Sequence, residues 1–322
     1  MTTSIVTPAT VIAVDLGGTN IRAALVDHEG QVLKRIKQPT QGSDGPDGVI
    51  KRMVESMRGV WPDPSASTVK AAAVASPGPL NPYKGIVNYA PNLPGWLDVP
   101  LRDILHRELN IPIAIGNDAN LAALGEQRYG AAKGIADMVY ITLSTGIGAG
   151  VILNNQLVLG SQGLATEVGH TVMDVHANWT HAGVLGSFEG LASGTAIGKL
   201  AQRRLRDGRV SSMLELAGGD ISAVTSKEVS LAAQRGDKLA LEIVAQAARY
   251  IGLGFVNVFH LFDPSIIVVG GSVSLMGEML FEPIRQTVQQ YVMPPYRNRP
   301  IVRAALGDDC GLLGAAALAF DL

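Results

Sequence analysis

The sequence predicts a two-domain α/β protein, and three observations carry that expectation. The chain has 322 residues, about twice the length of one ordinary domain. Short apolar runs of strand length alternate with longer segments of helical spacing from end to end. The 37 glycines cluster where apolar runs stop, which implies tight turns and close backbone approach at strand ends. With 47% apolar residues, the chain can bury a sizeable core.

Composition also excludes function classes. The formal net charge of −2 favours neither a nucleic-acid nor a membrane partner. Cys310 is the only cysteine, so an intrachain disulfide and a cysteine-built zinc site are both ruled out, and a cytoplasmic location fits best. The N-terminal stretch MTTSIVTPAT lacks the basic and apolar regions of a signal peptide. No apolar run reaches the length expected of a membrane span.

The elements follow in order. TVIAVDL, NIRAALVD and QVLKRIKQ, separated by Gly17-Gly18 and by HEG, predict three strands of a meander. In PDGVIKRMVESMRGV, Val49, Ile50, Met53, Val54 and Met57 share one face of a helix. TVKAAAVAS reads as a buried strand stopped by PGPLNP. DVPLRDILHRELN predicts a helix with Asp98 as its cap and Pro100 near its start. IPIAIGN predicts a strand and DANLAALGEQRYG a helix ending before Gly130. Asn117 and Asp118 therefore stand where a strand hands over to a helix N-terminus, which directs side chains and orphan N–H groups outward.

DMVYITLSTGIGAGVILNN repeats the opening shape of strand, small-residue turn and strand. Val11 to Val26 and Met138 to Leu153 can be an internal repeat or two ordinary hairpins; pattern alone leaves both open. Further on, FEGLASGTAIGKLAQRRLRDG predicts a helix interrupted by glycine, and residues 209–238 short surface helices. DKLALEIVAQAARYIGLGFVNVFHLFD predicts a long apolar helix whose Gly252 and Gly254 permit close packing, with core the preferred reading over an interface. PSIIVVGGSVS, GEMLFEPIRQTVQQYV, PIVRAAL and CGLLGAAALAFDL predict strand, helix, strand and a final helix.

The glycine turns fit neither standard nucleotide loop. No segment has the spacing Gly, four residues, Gly-Lys, Ser/Thr, and GIGAG has the wrong spacing for a dinucleotide site and runs into a strand. What remains is a hairpin turn bearing an acid, glycines and a hydroxyl. The N–H groups of Gly17, Gly18, Thr19 and Asn20 and the Thr19 hydroxyl can meet phosphate oxygens. Asp15 can orient a water bound to Mg²⁺. Thr145 and Gly146 in LSTGIGAG, and Gly270 and Gly271 in VVGGSVS, offer similar turns, and three of them suggest a held nucleotide. The polar residues Asn117, Asp118, Glu167, His170 and Glu189 suit several sugar hydroxyls. Asp118 is the candidate general base for phosphoryl transfer, with a helix N-cap as its plainer role. A structural role is likewise open for His170.

Together VIAVDLGGTNIRAALVDHEGQVL, SPGP, APNLPGW, NDANLAALGE, STGIGAG, EVGH and VVGGSVS resemble, in order and over nearly the whole chain, the ROK family of sugar kinases and repressors. The resemblance implies an actin-like, ribonuclease H-like ATPase fold of two α/β domains with a central cleft. Residues 1–117 would form the small domain, to which the helix at about 309–322 returns, and 118–308 the large one. It implies Asp118 as catalytic base. It implies Asn117, Glu167, His170 and Glu189 as ligands of sugar hydroxyls, with the loops at Gly78 and Asn92 lining the sugar. The phosphates and Mg²⁺ would fall to Asp15, Gly17, Gly18, Thr19 and the turn at Thr145-Gly146, and the nucleoside to Gly270 and Gly271. It also implies a homodimer formed through the large domain.

Two departures qualify the resemblance. Many members continue from the EVGH histidine into a segment with three zinc-binding cysteines. Those positions here hold Thr180, Ala182 and Ser187, while Gly183, Gly186 and Glu189 stay in frame. Without thiolates no zinc site of that type is expected, which leaves both ring nitrogens of His170 for sugar. Packing by Trp179, Val184, Leu185 and Phe188 would hold the loop instead, and a histidine site from His170, His176 and His181 is disfavoured. Family repressors also carry an N-terminal helix-turn-helix, and the first hairpin begins near residue 11, so a DNA-binding repressor is disfavoured too.

The expected activity is ATP- and Mg²⁺-dependent transfer to a sugar, glucose at its 6-hydroxyl first. Mannose, allose, fructose, N-acetylglucosamine and N-acetylmannosamine stay open as acceptors, and a non-catalytic sugar sensor is the alternative outside catalysis. Polyphosphate as donor would call for a basic groove, and the run QRRLRDGR reads better as a solvated helix face.

Overall fold

The computed structural model of the chain describes residues 9–61, 69–177 and 184–322. The N-terminal residues 1–8, Thr68 at the start of the second buried strand, and Trp179, Thr180, His181, Ala182 and Gly183 of the cysteine-replacing loop lie outside the described residues. The chain divides into two compact units. Unit 1 takes Met1–Ala136, Gly150–Thr166 and Ala305–Leu322, and unit 2 takes Asp137–Ala149 and Glu167–Ala304.

The expected meander is present as β1 (Thr10–Leu16), β2 (Asn20–Asp27) and β3 (Val32–Pro39). Next come α1 (Gly45–Val60) and β4 (Val69–Ser76). Three short strands follow, β5 (Leu80–Asn81), β6 (Ile86–Tyr89) and β7 (Leu97–Val99), then α2 (Leu101–Leu109), β8 (Ile113–Asn117) and α3 (Asp118–Tyr129). The main sheet has the order β3-β2-β1-β4-β8. β1–β2 and β2–β3 are antiparallel, β1–β4 and β4–β8 parallel. The predicted face of α1 is the buried one, and it lies with Leu93, Trp96, Leu101 and Leu105 in a core on one side of this sheet.

One expectation in this region fails, and one element was missed. Asp98 does not cap α2; the cap position is Pro100, with no side-chain bond. Asp98 lies in β7 with φ 50°, and its carboxylate accepts from Asn88 Nδ2 at 2.9 Å. The small sheet β5-β6-β7 was not foreseen, because strands of two to four residues are too short to show a period.

The second half continues with β9 (Met138–Leu143), β10 (Ile147–Leu153) and β11 (Gln156–Leu157). Helices α4 (Phe188–Ala192), α5 (Gly194–Arg206), α6 (Met213–Leu216), α7 (Ser226–Gln234) and α8 (Lys238–Phe262) come next. The chain ends in β12 (Ile266–Gly270), α9 (Glu278–Tyr291), β13 (Ile301–Arg303) and α10 (Cys310–Phe320). The second sheet has the order β11-β10-β9-β12-β13, with β12 parallel to both β9 and β13. That is the strand order of the first sheet again, which decides for an internal repeat over two unrelated hairpins.

The helix α8 has the length and apolar composition of a membrane span, against the expectation that no run reaches it, but most of it is buried. Its Leu239, Ile243, Val244, Ile251, Phe255 and Phe259 are core residues. A Cβ at Gly252 would stand 2.5 Å from Thr287 of α9, and one at Gly254 2.6 Å from the Phe188 ring, so these glycines do serve close packing. The predicted break in the preceding helix is at Ser193, which ends α4 and caps α5 through Ala196 N–H at 3.2 Å. Arg203, Arg204 and Arg206 of the basic run are exposed.

Candidate active site

In unit 1 the first glycine turn closes on itself and is strapped from outside. Gly17 N–H donates to Asn20 O at 3.0 Å. Thr40, fully buried, donates through Oγ1 to Gly17 O at 2.6 Å, and its N–H donates to Thr19 O at 2.8 Å. Arg52 Nε binds Thr40 O at 3.0 Å. The turn's carbonyls at Gly17 and Thr19 are thereby occupied, while Gly18 and Thr19 stay exposed. Thr40 and Arg52 were missed; strapping residues 20 or more positions away leave no local signal.

Asp15, at the end of β1, is ion-paired with Arg22 of β2, both guanidinium contacts reaching Oδ2. Burial opposes the charge of Arg22, but Asp15, backed by Asp309 and Asp308, holds its pKa above the usual value. The other oxygen, Oδ1, faces Gly311 at the start of α10, 3.5 Å from where a Cβ would stand. A carboxylate with one oxygen committed suits a hard, water-rich Mg²⁺ held through water.

The strand–helix junction resolves the roles of Asn117 and Asp118. Asn117 is the N-cap of α3, its Oδ1 accepting from Ala119 N–H at 3.0 Å. Asp118 is the next residue, exposed in the first helical turn, where a negative charge is favoured; its Oδ1 accepts from the same N–H at 2.8 Å. With its oxygen turned into the helix, Asn117 presents Nδ2 toward Gly78, 3.3 Å from the Cβ position there. Gly78 precedes a cis Gly78–Pro79 bond. In the APNLPGW loop Leu93 and Trp96 are buried and leave Asn92 exposed. The Asn92 Cβ lies 3.0 Å from the Cβ position of Gly18, so the candidate sugar loop rests on the candidate phosphate turn. The loop at 160–166 is locked to 80–83: Tyr83 OH donates to Gly160 O at 2.8 Å, and Pro82 fills the space over Gly163.

In unit 2 a second constellation forms around Glu189. Its Oε2 accepts from Ile147 N–H at 2.8 Å and stands 2.3 Å from where a Cβ of Gly146 would be. The carboxylate offered as a sugar ligand is thus packed into the second glycine turn. Ser187, at one of the replaced cysteine positions, is fully buried and caps α4, accepting from Gly190 N–H at 3.1 Å. Backbone bonds hold the surrounding loop: Met173 N–H to Gly186 O at 2.7 Å and Phe188 N–H to Thr171 O at 2.9 Å. Phe188 is buried as expected, but Leu185 is 57% exposed and cannot hold the loop by packing. Among the described residues no three His, Cys, Asp or Glu side chains gather as a metal site; His181 lies outside them.

Val168 and Gly169 are buried, Gly169 directly against Ile147 O, which leaves Glu167 and His170 exposed on either side. His170 Nε2 stands 3.7 Å from Glu167 Oε2. The two candidate sugar ligands therefore lie side by side at the surface.

The second and third glycine turns border one pocket of about 300 Å³, the small end of the range for ligand sites. It is lined by Thr145, Thr195, Lys199, Gln202, Thr225 and Ser272, among others. Gly194 N–H donates to Ser144 O at 2.7 Å and Thr195 Oγ1 to Thr145 O at 2.9 Å, so turn carbonyls are bound to the start of α5. Gly271 has φ 84°, and a Cβ there would stand 2.3 Å from Leu143 O; only glycine fits. Gly270 lies under the Tyr140 ring. Thr195, Lys199 and Thr225 lie outside the quoted motifs, while Ser272 belongs to VVGGSVS but was not singled out.

A model of the ROK family matches residues 11–321. The chain is 35% identical to a glucokinase of Thermotoga maritima, the match covering 96% of each chain. It is 33% identical to an N-acetylmannosamine kinase of Shigella flexneri, over 96% of this chain and 98% of that one. Among solved structures, a ROK family glucokinase of Streptomyces griseus in complex with glucose and AMPPNP superposes with a TM-score of 0.81 at 33% identity, over 98% of this chain and all of that one.

Proposed function

The chain belongs to the ROK family and has its two-domain actin-like α/β fold, and from that premise we propose an ATP-dependent sugar kinase that phosphorylates the 6-hydroxyl of glucose. The single observation that carries the reading is Asp118, exposed in the first turn of α3 beside the Asn117 amide and the Gly78 turn. Asp118 accepts the proton of the sugar hydroxyl as that oxygen bonds to the γ-phosphorus. The bond from phosphorus to the β,γ-bridging oxygen breaks, and ADP leaves with the electron pair. Asn117, Glu167, His170 and Glu189 orient sugar hydroxyls, and the Gly78 and Asn92 loops shape the site. The N–H groups of Gly18, Thr19 and Gly146 and the hydroxyls of Thr19 and Thr145 hold phosphate oxygens. Gly270 and Gly271 border the nucleoside. Asp15, through Oδ1, is the residue that would hold Mg²⁺ by way of water, and the ion would supply charge neutralisation for the transferred phosphoryl group.

Glucose is placed first because glucokinases of several organisms are 34–35% identical to the chain and a solved relative at 33% identity is bound to glucose. A second acceptor class, N-acetylhexosamines, is favoured by one observation: the N-acetylmannosamine kinase is nearly as similar as the glucokinase. A coupled ADP-release assay over glucose, mannose, allose, fructose, N-acetylglucosamine and N-acetylmannosamine tests both. Glucose is expected to give the highest kcat/KM. No sugar-dependent ADP release with any acceptor would overturn the kinase reading in favour of a sugar sensor.

A cytoplasmic homodimer without nucleic-acid or membrane partners completes the proposal. It is supported by the single cysteine and the small net charge, and by exposed Val172, Val175, Leu185 and Leu261 in unit 2. Light scattering reads the assembly directly, and a monomeric mass would sink it.

A further inference from the structure

The buried carboxylate of Glu126 has no place in the chemistry above. It lies on α3, two turns beyond Asp118, and is 0% exposed. No cation pairs with it among the described residues; three backbone N–H groups do. Oε2 accepts from Ala131 at 2.8 Å and from Ala305 at 3.1 Å, and Oε1 accepts from Leu306 at 2.9 Å. Its own carbonyl accepts from Gly130 and Ala132. Gly130 leaves the room this requires, since a Cβ there would stand 2.1 Å from Oε2. A carboxyl group sealed from water needs a specific set of hydrogen-bond partners.

The donors belong to two separate stretches of chain. Ala131 and Ala132 follow α3 shortly before the chain first leaves unit 1 after Ala136, and Ala305 and Leu306 are the first residues of its last return, at Ala305–Leu322. Leu306 leads through a turn at Gly307–Asp309 into α10. The start of α10 is where Gly311 meets Asp15 Oδ1 and where Asp309 binds Arg35 of β3 at 2.7 Å. The body of α10 is set into α3: a Cβ at Gly314 would fall 1.7 Å from Leu121 O. Glu126 thus joins the helix that begins with Asp118 to the segment that delivers α10 to Asp15.

We propose that Glu126 is a positioning residue for phosphoryl transfer, fixing the entry of α10 on α3 so that Asp15 and Asp118 are held in one frame. It touches neither sugar nor nucleotide and acts through the backbone at Ala305 and Leu306. This rests on the kinase reading. Loss of the clamp frees the entry of α10 toward Asp15, which lowers kcat and raises the Mg²⁺ needed for half-maximal rate; it leaves sugar affinity alone, because Asn117 is held at the head of α3 by its own bond to Ala119 N–H and Gly78 and Asn92 lie outside α10.

The experiment compares the full chain with Glu126→Gln, which keeps the shape but replaces one accepting oxygen by an NH₂ group. A second variant, Glu126→Asp, keeps the charge and withdraws it by one methylene. Circular dichroism and thermal melting select a temperature at which each variant is fully folded. There kcat is expected to fall at least tenfold in Glu126→Gln, with half-saturating Mg²⁺ raised about threefold and the calorimetric glucose Kd within twofold of wild type. Glu126→Asp should recover part of the rate. A folded Glu126→Gln with kcat and Mg²⁺ dependence within twofold of wild type overturns the role and marks Glu126 as structural only. Should Glu126→Gln fail to fold, the same readouts on Glu126→Asp decide: wild-type kcat and Mg²⁺ dependence there overturn the proposal, and a loss of both at unchanged glucose Kd sustains it. A wild type inactive on every sugar overturns the kinase reading itself, and this role with it.

Discussion

At the scale of single residues, neighbours in sequence divide the work at the head of α3. Asn117 spends its carbonyl oxygen on the helix N-terminus and keeps its amide for Gly78, so Asp118 is not the N-cap. Asp118→Asn keeps the size and the bond to Ala119 but cannot take a proton. The expected result is a kcat lower by about 10²–10⁴-fold, with glucose affinity retained by calorimetry; near-normal turnover would remove Asp118 from the base role. Glu189 makes a different kind of prediction, because it is packed into the turn at Gly146. Gly146→Ala places a methyl at 2.3 Å from Oε2, which would drive the carboxylate off Ile147 N–H and displace both the turn and the proposed sugar ligand. Loss of kcat/KM by about 10²-fold in the coupled assay is expected, and a value within threefold of wild type would show that Glu189 has another resting place. The sequence showed Asp118 and Glu189 as candidates because each sits in a compact motif. It could not show Arg22 on Asp15 or Thr40 on the Gly17 turn, because cross-strand and long-range partners are set by register, which a local pattern does not contain.

At the scale of elements, strong periodicity was legible and short structure was not. The α1 face of Val49, Ile50, Met53, Val54 and Met57 is buried as its spacing requires. The β5-β6-β7 sheet escaped notice, and Asp98, taken for a cap, is a strand residue at positive φ. Asp237 caps α8 through Ala240 N–H at 3.0 Å and also receives Ser212 N–H at 2.7 Å. Burial raises its pKa, but the hydrogen bonds from Ala240, Ser212 and Ser211 outweigh burial and hold it below the ordinary carboxylate value. Because the folded-state pKa is depressed, the stabilisation is fully present above the unfolded value of about 3.9 and is lost as pH falls through the folded pKa. Asp237→Ala is expected to cost about 1 kcal/mol at neutral pH, read by urea unfolding. The gap between wild type and variant should narrow as pH falls below that unfolded value, and a gap independent of pH would show that the cap acts without its charge.

At the scale of the whole molecule, two five-stranded sheets share one strand order, a relation that the hairpin pattern suggested but, at low identity, left open. The most direct whole-molecule prediction concerns the segment at 170–189, where many family members carry zinc-binding cysteines and this chain has Thr180, Ala182 and Ser187. A structural zinc contributes directly to folding free energy, and chelation then unfolds the part it holds. Here Ser187 is a buried helix cap, and Met173, Asp174 and Phe188 are tied by backbone bonds to Gly186 and Thr171. These contacts need no metal and preserve the frame that carries Glu189 toward Gly146. Purified protein is therefore expected to hold less than about 0.1 zinc per chain by elemental analysis, and its thermal midpoint without nucleotide should not move on adding a strong chelator. In contrast, Ser187→Ala leaves Gly190 N–H without its acceptor and should lower that midpoint, at a cost of about 1 kcal/mol. Stoichiometric zinc, or a midpoint that falls with chelator, would mean that side chains outside the cysteine pattern hold a metal and that the backbone ladder does not stabilise the segment alone.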